Sequence, residues 1–227
     1  MTFKNREQAG HMLAQKLAHY ADRDDVMVLG LPRGGVPIAY EIAVALHAPL
    51  DVFLSRKLGA PGQEEFAMGA ISSGGIRVIN WKAVEALGIS ERELEAVTAR
   101  ERAELERREQ AYRDNRSAPG LKGRTVIMVD DGVATGASMQ AAIVALRQLQ
   151  PARIVVAVPV APYSAIAALR SVAEEVVCVV TPDFFYGVGQ FYEDFSQLTD
   201  EEVRDFLTQA RESLTCSRRE VLAEEKR

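Results

Sequence analysis

The chain has only two cysteines and three histidines among 227 residues. Cys178 stands in an apolar run and Cys216 near the end, with no spaced cluster joining them. That leaves too few ligands for a zinc site of the thiolate and imidazole type. Cys178 reads as a buried thiol, and the scarcity suits a reduced, cytoplasmic protein. Long apolar runs are missing too. The longest, 154–169, contains Pro159, Pro162 and Tyr163 and falls short of the ~18 residues a membrane span needs. Residues 1–25 mix charges throughout and hold no signal-peptide core. Positive charge is not in excess: 27 basic against 32 acidic residues give −5. The chain therefore has no general attraction to nucleic acid or anionic lipid. What is present is a globular balance, 48% hydrophobic and 26% charged, which excludes wholesale disorder. The length suits one domain, 1–227, carrying a sizeable insertion.

Five short apolar runs, 26–31, 50–54, 125–129, 154–160 and 176–180, are rich in β-branched residues. Their continuous apolarity, without alternation, fits strands buried on both faces of a parallel sheet. Amphipathic stretches lie between most of them: Ile38, Ile42, Val44 and Leu46; Ala141, Val144, Ala145, Leu146 and Leu149; Ile166 and Leu169. The alternation predicts an α/β fold with an open, mostly parallel five-stranded sheet flanked by helices, its core spanning about 25–182. Ligands of such sheets bind beyond the carboxyl ends of the strands.

Two regions break the alternation. Residues 81–118 read as a helical insertion that starts after Asn80 and restarts at Ser90, where Glu93 completes a capping-box pattern. Seven arginines and eight acidic residues crowd 91–116, with Glu104/Arg108 and Glu109/Arg113 in the favourable i,i+4 order. The apolar stripe is thin: Leu94, Val97, Leu105 and Tyr112. A solvated arm is expected, with a lid or a dimer arm as the alternative. The second region, about 181–216, holds a small hood and a last helix beginning at Thr199. Six of the chain's 15 aromatic residues fall within 184–195, either as packing or as a platform for a flat ligand.

The strongest signal is VIMVDDGVATGAS, residues 126–138. A buried strand ends in Asp130 and Asp131, and a loop of small residues, Ala134, Thr135, Gly136, Ala137 and Ser138, leads into a helix. Small residues let backbone N–H groups converge on an anion, and the helix N-terminus adds a favourable dipole. The two carboxylates cannot bind phosphate and must face hydroxyls or a cation of the same ligand. A sugar phosphate meets both demands. No Gly-Lys-Ser/Thr follows, which excludes a Walker loop.

This stretch resembles the phosphoribosyl-diphosphate (PRPP) signature of type I phosphoribosyltransferases, departing at Gly132, where the family carries a larger apolar residue. The whole arrangement is similar to the bacterial group known as predicted phosphoribosyltransferases. The resemblance implies that Asp130 and Asp131 hold the ribose hydroxyls and that 134–138 wraps the 5-phosphate. Residues 31–35, Leu-Pro-Arg-Gly-Gly, look like the pyrophosphate loop, with Arg33, Gly34 and Gly35 as its grip and a cis peptide at Pro32–Arg33. Residues 55–75 resemble the flexible catalytic loop, with Arg56 and Lys57 as cations, Gly59, Pro61 and Gly62 as its mobile part, and Glu64 and Glu65 within reach of a base.

The implied reaction moves the phosphoribosyl group from PRPP to a nucleobase or similar nitrogen acceptor. Mg²⁺ would assist, met by Asp130 and Asp131 directly or through the ligand's hydroxyls. The hood is faintly similar to the base end of hypoxanthine-guanine phosphoribosyltransferases, which implies a base platform of Phe184 and Phe185 with Asp194 as a polar contact. Ala134 stands where those enzymes place an acid, and 158–160 offers no lysine for a 6-oxo group. A homodimer without nucleic acid or membrane is the expected assembly. The rival reading is a PRPP- or nucleotide-sensing regulator without turnover, which would keep 130–138 and lose the loop cations. Arg33, Arg56 and Lys57 are present.

Overall fold

A computed structural model describes residues 1–114 and 116–224, without the side chains of 65 and 216–224. The Cys216 thiol and the Glu65 carboxyl lie outside the described residues. In chain order the elements are α1 Arg6–Lys16, β1 Val26–Gly30, α2 Gly35–Leu46, β2 Leu50–Val52, β3 Ser55–Ala60, β4 Gln63–Ser72, β5 Ile76–Ile79, α3 Trp81–Ala86, α4 Glu91–Arg113, β6 Thr125–Val129, α5 Ala137–Arg147, β7 Arg153–Val160, α6 Tyr163–Arg170, β8 Glu175–Val180 and α7 Asp200–Glu224.

The five apolar runs form the expected sheet, in the order β2-β1-β6-β7-β8, with every neighbouring pair parallel. Their lack of alternation has the anticipated cause. Val26 and Val28 of β1, Ile127 and Val129 of β6, and Val155 and Ala157 of β7 enter one core layer with α1 and α2. Met27 and Leu29, Val126 and Met128, and Ile154 and Val156 enter the other, with α5 and α6. A strand between two helical layers has no solvent face to mark with polar residues. Among the described residues no helix is long and apolar enough to cross a membrane.

The segment 55–75 differs from the mobile loop expected. β3 and β4 form an antiparallel hairpin around Pro61 and Gly62, and β5 adds a third strand. Leu58, Met68 and Ile71 bury the inner side of this small sheet. Glycines obscured the pattern, yet two are required by the pairing. A Cβ on Gly59 would meet the backbone of Glu64, and one on Gly69 the backbone of Val78 and Ile79.

The helical insertion is not a solvated arm. Asn80 caps α3 and the Ser90–Glu93 box opens α4. The thin stripe is fully used: Leu94, Val97, Leu105 and Tyr112 are all buried. Tyr112 donates to Asp200 at 2.6 Å. Buried Arg113 pairs with Asp51 at 3.0 Å and with Glu109 at 2.9 Å, and donates to the Val52 carbonyl at 3.0 Å. Together these fasten α4 to the edge strand β2 and to the start of α7. α7 begins with Thr199 and Glu202 capping each other and runs past the expected limit of 216.

Before the sheet, Asn5 accepts from the Gln8 N–H at 3.0 Å while the Gln8 side chain accepts from the Lys4 N–H at 2.7 Å. This reciprocal cap starts α1. Phe3, just ahead of it, pairs with Tyr192 of the hood.

Candidate active site

Parallel register sets the ends of β1 and β6 level, with Gly30 opposite Val129. Leu31 donates its N–H to the Val129 carbonyl at 2.8 Å, so the two following loops start side by side. The first, 31–35, carries a cis peptide at Pro32–Arg33. Its glycines are needed for room. A Cβ on Gly34 would land in the Asp131 carboxylate, and one on Gly35 would collide with the Val129 carbonyl and the Asp130 backbone.

The second loop turns at Gly136, whose φ of 83° is left-handed and suits glycine. α5 follows at once, with its first N–H groups free of helical partners. Gly132 also makes room: a Cβ there would overlap Val188 of the hood at 2.5 Å and Val160 at 3.0 Å. The larger apolar residue of the related signature is thus replaced by a hood valine reaching in from outside.

Asp130 and Asp131 lie at the junction. Burial, and then the charge of Asp131, push the Asp130 carboxyl up to about 8. Its Oδ1 accepts the Asp131 N–H at 2.9 Å. Burial also raises the Asp131 carboxyl, while the Arg6 guanidinium opposes the rise. Arg6 donates from Nε and Nη2 to Asp131 Oδ2 at 3.1 and 2.9 Å. Its Nη1 reaches the Ser196 carbonyl at 3.0 Å, and the guanidinium lies 4.2 Å over the Phe195 ring. Tyr192 donates to the Asp131 carbonyl at 2.7 Å. The helix α1, the carboxylate loop and the hood therefore meet at one residue.

These elements enclose a cleft of about 420 Å³ whose lining includes Arg33, Gly34, Arg56, Arg108, Asp130, Asp131 and Ser138. Beside it, Ala134, Thr135 and Ala137 are exposed and Gly136 is buried. Gly35 is buried against the end of β6. Arg56 is held by Glu101 through Nε and Nη2, each at 2.7 Å. Lys57 does not line this cleft. It lines a second cavity of about 390 Å³ with Glu64 and Arg100, and Arg56 borders both.

The expected base platform is not brought to the cleft either. Phe185 stacks on Phe191 at 5.7 Å against the core. Phe184 is 76% exposed, and Asp194 accepts from the Ser196 N–H at 3.0 Å.

Two site residues escaped the reading of the sequence. Arg6 was signalled only by the Asn5 and Gln8 cap, which fixes a helix and not its destination. Arg108 was visible as half of an ion pair. It lies three residues after Leu105 and four before Tyr112, on the face that α4 buries. Among the described residues no group of three or more His, Cys, Asp or Glu side chains could hold a metal ion.

A parallel five-stranded sheet whose carboxyl edge carries paired acids beside a turn of small residues is the arrangement of a phosphoribosyltransferase-like protein. The family model described as phosphoribosyl transferase domain matches residues 3–196, and the chain belongs to that family. Two strains of Mycobacterium tuberculosis, CDC 1551 / Oshkosh and ATCC 25618 / H37Rv, each have a relative named putative phosphoribosyl transferase. Each is 45% identical over 208 residues, covering 92% of this chain and 47% of the relative. The chain thus spans about half the length of the curated relatives it matches. The crystal structure of TT1426 from Thermus thermophilus is 46% identical, covers 92% of this chain and 99% of that one, and superposes with a TM-score of 0.80.

Proposed function

We propose that the protein transfers the 5-phosphoribosyl group of PRPP to a nucleobase or similar nitrogen acceptor and releases pyrophosphate. The observation that carries this reading is one cleft lined both by the guanidinium groups of Arg33, Arg56 and Arg108 and by the paired acids Asp130 and Asp131. PRPP carries the groups that would meet both, a diphosphate on its anomeric carbon and a diol beside it. Its 5-phosphate suits the exposed turn at 134–138 and the first N–H groups of α5.

In the transfer, the bond from the anomeric carbon to the diphosphate oxygen breaks and a bond to the acceptor nitrogen forms. The ring passes through an oxocarbenium-like state, the diphosphate leaves with the bonding pair, and the acceptor nitrogen gives up its proton to the departing pyrophosphate or to water. Asp130 and Asp131 hold the ribose hydroxyls, and the negative charge that the pair shares stabilises the developing positive charge. Arg33 and Arg56 take up charge on the departing diphosphate. No covalent nucleophile is required; positioning and electrostatics carry the step.

The donor set suits Mg²⁺ only in one manner. Two carboxylates, one with an oxygen already held by Arg6, cannot cage a hard cation. They fit an ion carried on the ligand's own oxygens, as Mg²⁺ prefers. When bound it supplies charge neutralisation on the diphosphate.

The test is a panel of nucleobases and amines offered with PRPP and Mg²⁺, read as pyrophosphate release, alongside a thermal shift with PRPP. Ligand at about 100 times Kd adds about 2.7 kcal/mol. No shift at millimolar PRPP in folded protein overturns the reading.

A further inference from the structure

The inserted helix brings one more cation to the cleft. α4 is pinned at its carboxyl end by buried Tyr112 and Arg113. Arg108 sits one helical turn before Tyr112, on the same face, and lines the cleft with Arg33 and Arg56. Its Nε donates to Glu104 at 2.8 Å. Among the described residues nothing else accepts from its two terminal nitrogens. Arg107, its neighbour, differs. It spends Nε and Nη2 on both oxygens of Glu104, at 2.8 and 3.0 Å, and is absent from the cleft lining. Glu104 thus orients Arg108 through one nitrogen and leaves its outer edge available.

Arg33 and Arg108 also share a neighbourhood. Both act on the Tyr112 hydroxyl, opposing the upward push on its pKa from burial and from Asp200. Two guanidinium groups placed together without an acidic partner for their outer edges repel each other. A polyanion between them removes that cost, and planar guanidinium edges match phosphate oxygens in pairs.

We infer that Arg108, supplied by the inserted helix, grips the diphosphate of the ligand together with Arg33. This rests on the phosphoribosyl-transfer reading. It makes α4 part of the binding wall, so diphosphate affinity depends on an element outside the parallel-sheet core.

The experiment is calorimetric titration of the full chain with two probes, inorganic pyrophosphate in the presence of Mg²⁺ and ribose 5-phosphate. Arg108→Gln is expected to weaken pyrophosphate about tenfold or more, with ribose 5-phosphate affinity within about twofold of wild type. Arg107→Gln, on the same helix and the same glutamate, is expected to change neither. Arg108→Lys, which keeps the charge and loses the fork, should fall between wild type and Arg108→Gln. Wild-type pyrophosphate affinity in folded Arg108→Gln overturns the inference and leaves the transferase reading intact. Equal weakening of both probes overturns it as well, since that marks general damage. A wild-type protein that binds neither probe overturns the transferase reading and this inference with it.

Discussion

Arg6 places two N–H groups on a single oxygen of Asp131, Oδ2, at 3.1 and 2.9 Å. The pair is largely withdrawn from water, with 11% of the Arg6 side chain and 15% of the Asp131 side chain exposed. Since Gly34 packs against the same carboxylate, Asp131 is held from two sides and cannot swing away from the cleft. Breaking such a pair leaves one buried charge uncompensated, at a cost of about 3 kcal/mol.

Arg6→Ala is therefore expected to lower the melting temperature clearly, and Asp131→Asn in the same background should recover part of the loss. A double-mutant cycle measured by denaturant unfolding isolates the coupling. A coupling energy near zero would mean that Arg6 serves only the Ser196 carbonyl and the Phe195 ring.

Asp130 predicts a pH dependence. An ordinary aspartate titrates near ~4, whereas burial and Asp131 push this one up to about 8. The folded state then binds the proton more tightly than the unfolded chain. Asp130 contributes stability below about pH 4, and that contribution is lost as pH rises toward about 8. Asp130→Asn should melt higher than wild type at pH 8, with the gap closing toward pH 4, while PRPP affinity falls. Parallel melting curves for the two proteins across this window would contradict the burial of that charge.

Gly34 and Gly120 form a matched pair for substitution. Gly34→Ala would drive a methyl group into the Asp131 carboxylate, although its φ of −62° suits alanine. Gly120 has nothing within 4 Å of its own added Cβ. Gly34→Ala should lower both stability and ribose 5-phosphate affinity. Gly120→Ala should leave both unchanged or raise stability by about 0.4–1 kcal/mol. Thermal melts with and without ribose 5-phosphate decide it; a neutral Gly34→Ala would show that the carboxylate can move.

The hood aromatics divide by burial. Phe185→Ala removes a ring stacked on Phe191 and is expected to cost about 2 kcal/mol, less than the ~3–5 of a fully buried ring. Phe184→Ala, at 76% exposure, should leave the melting temperature in place. If Phe185→Ala melts like wild type, the ring is not packed as described.

The parts of the fold written in contiguous residues were legible. The five runs, the Ser90 box and both loops after β1 and β6 each depend on neighbours within a few positions, so their patterns survive in the sequence. The parts that failed depend on distant partners. The hairpin of β3 and β4 hid behind glycines that the pairing itself requires. The helix α4 looked solvated because charge dominates its composition, while burial follows a stripe of few residues, Leu94, Leu105 and Tyr112 among them. Arg6 and Asp131 meet from opposite parts of the chain, and no local pattern encodes that meeting.

The pairing of Phe3 with Tyr192 sets an order of events during synthesis. Phe3 donates to the Phe191 carbonyl at 2.7 Å, and the Glu193 and Asp194 N–H groups return to Phe3 and Lys4 at 2.9 Å. On a ribosome Arg6 emerges first, the carboxylates much later, and the hood that clasps both later still. A growing chain can lay down its strands as they appear, yet the clasp on Asp131 closes only after Tyr192 has left the exit tunnel. Unfinished chains therefore carry the two loops without their restraint.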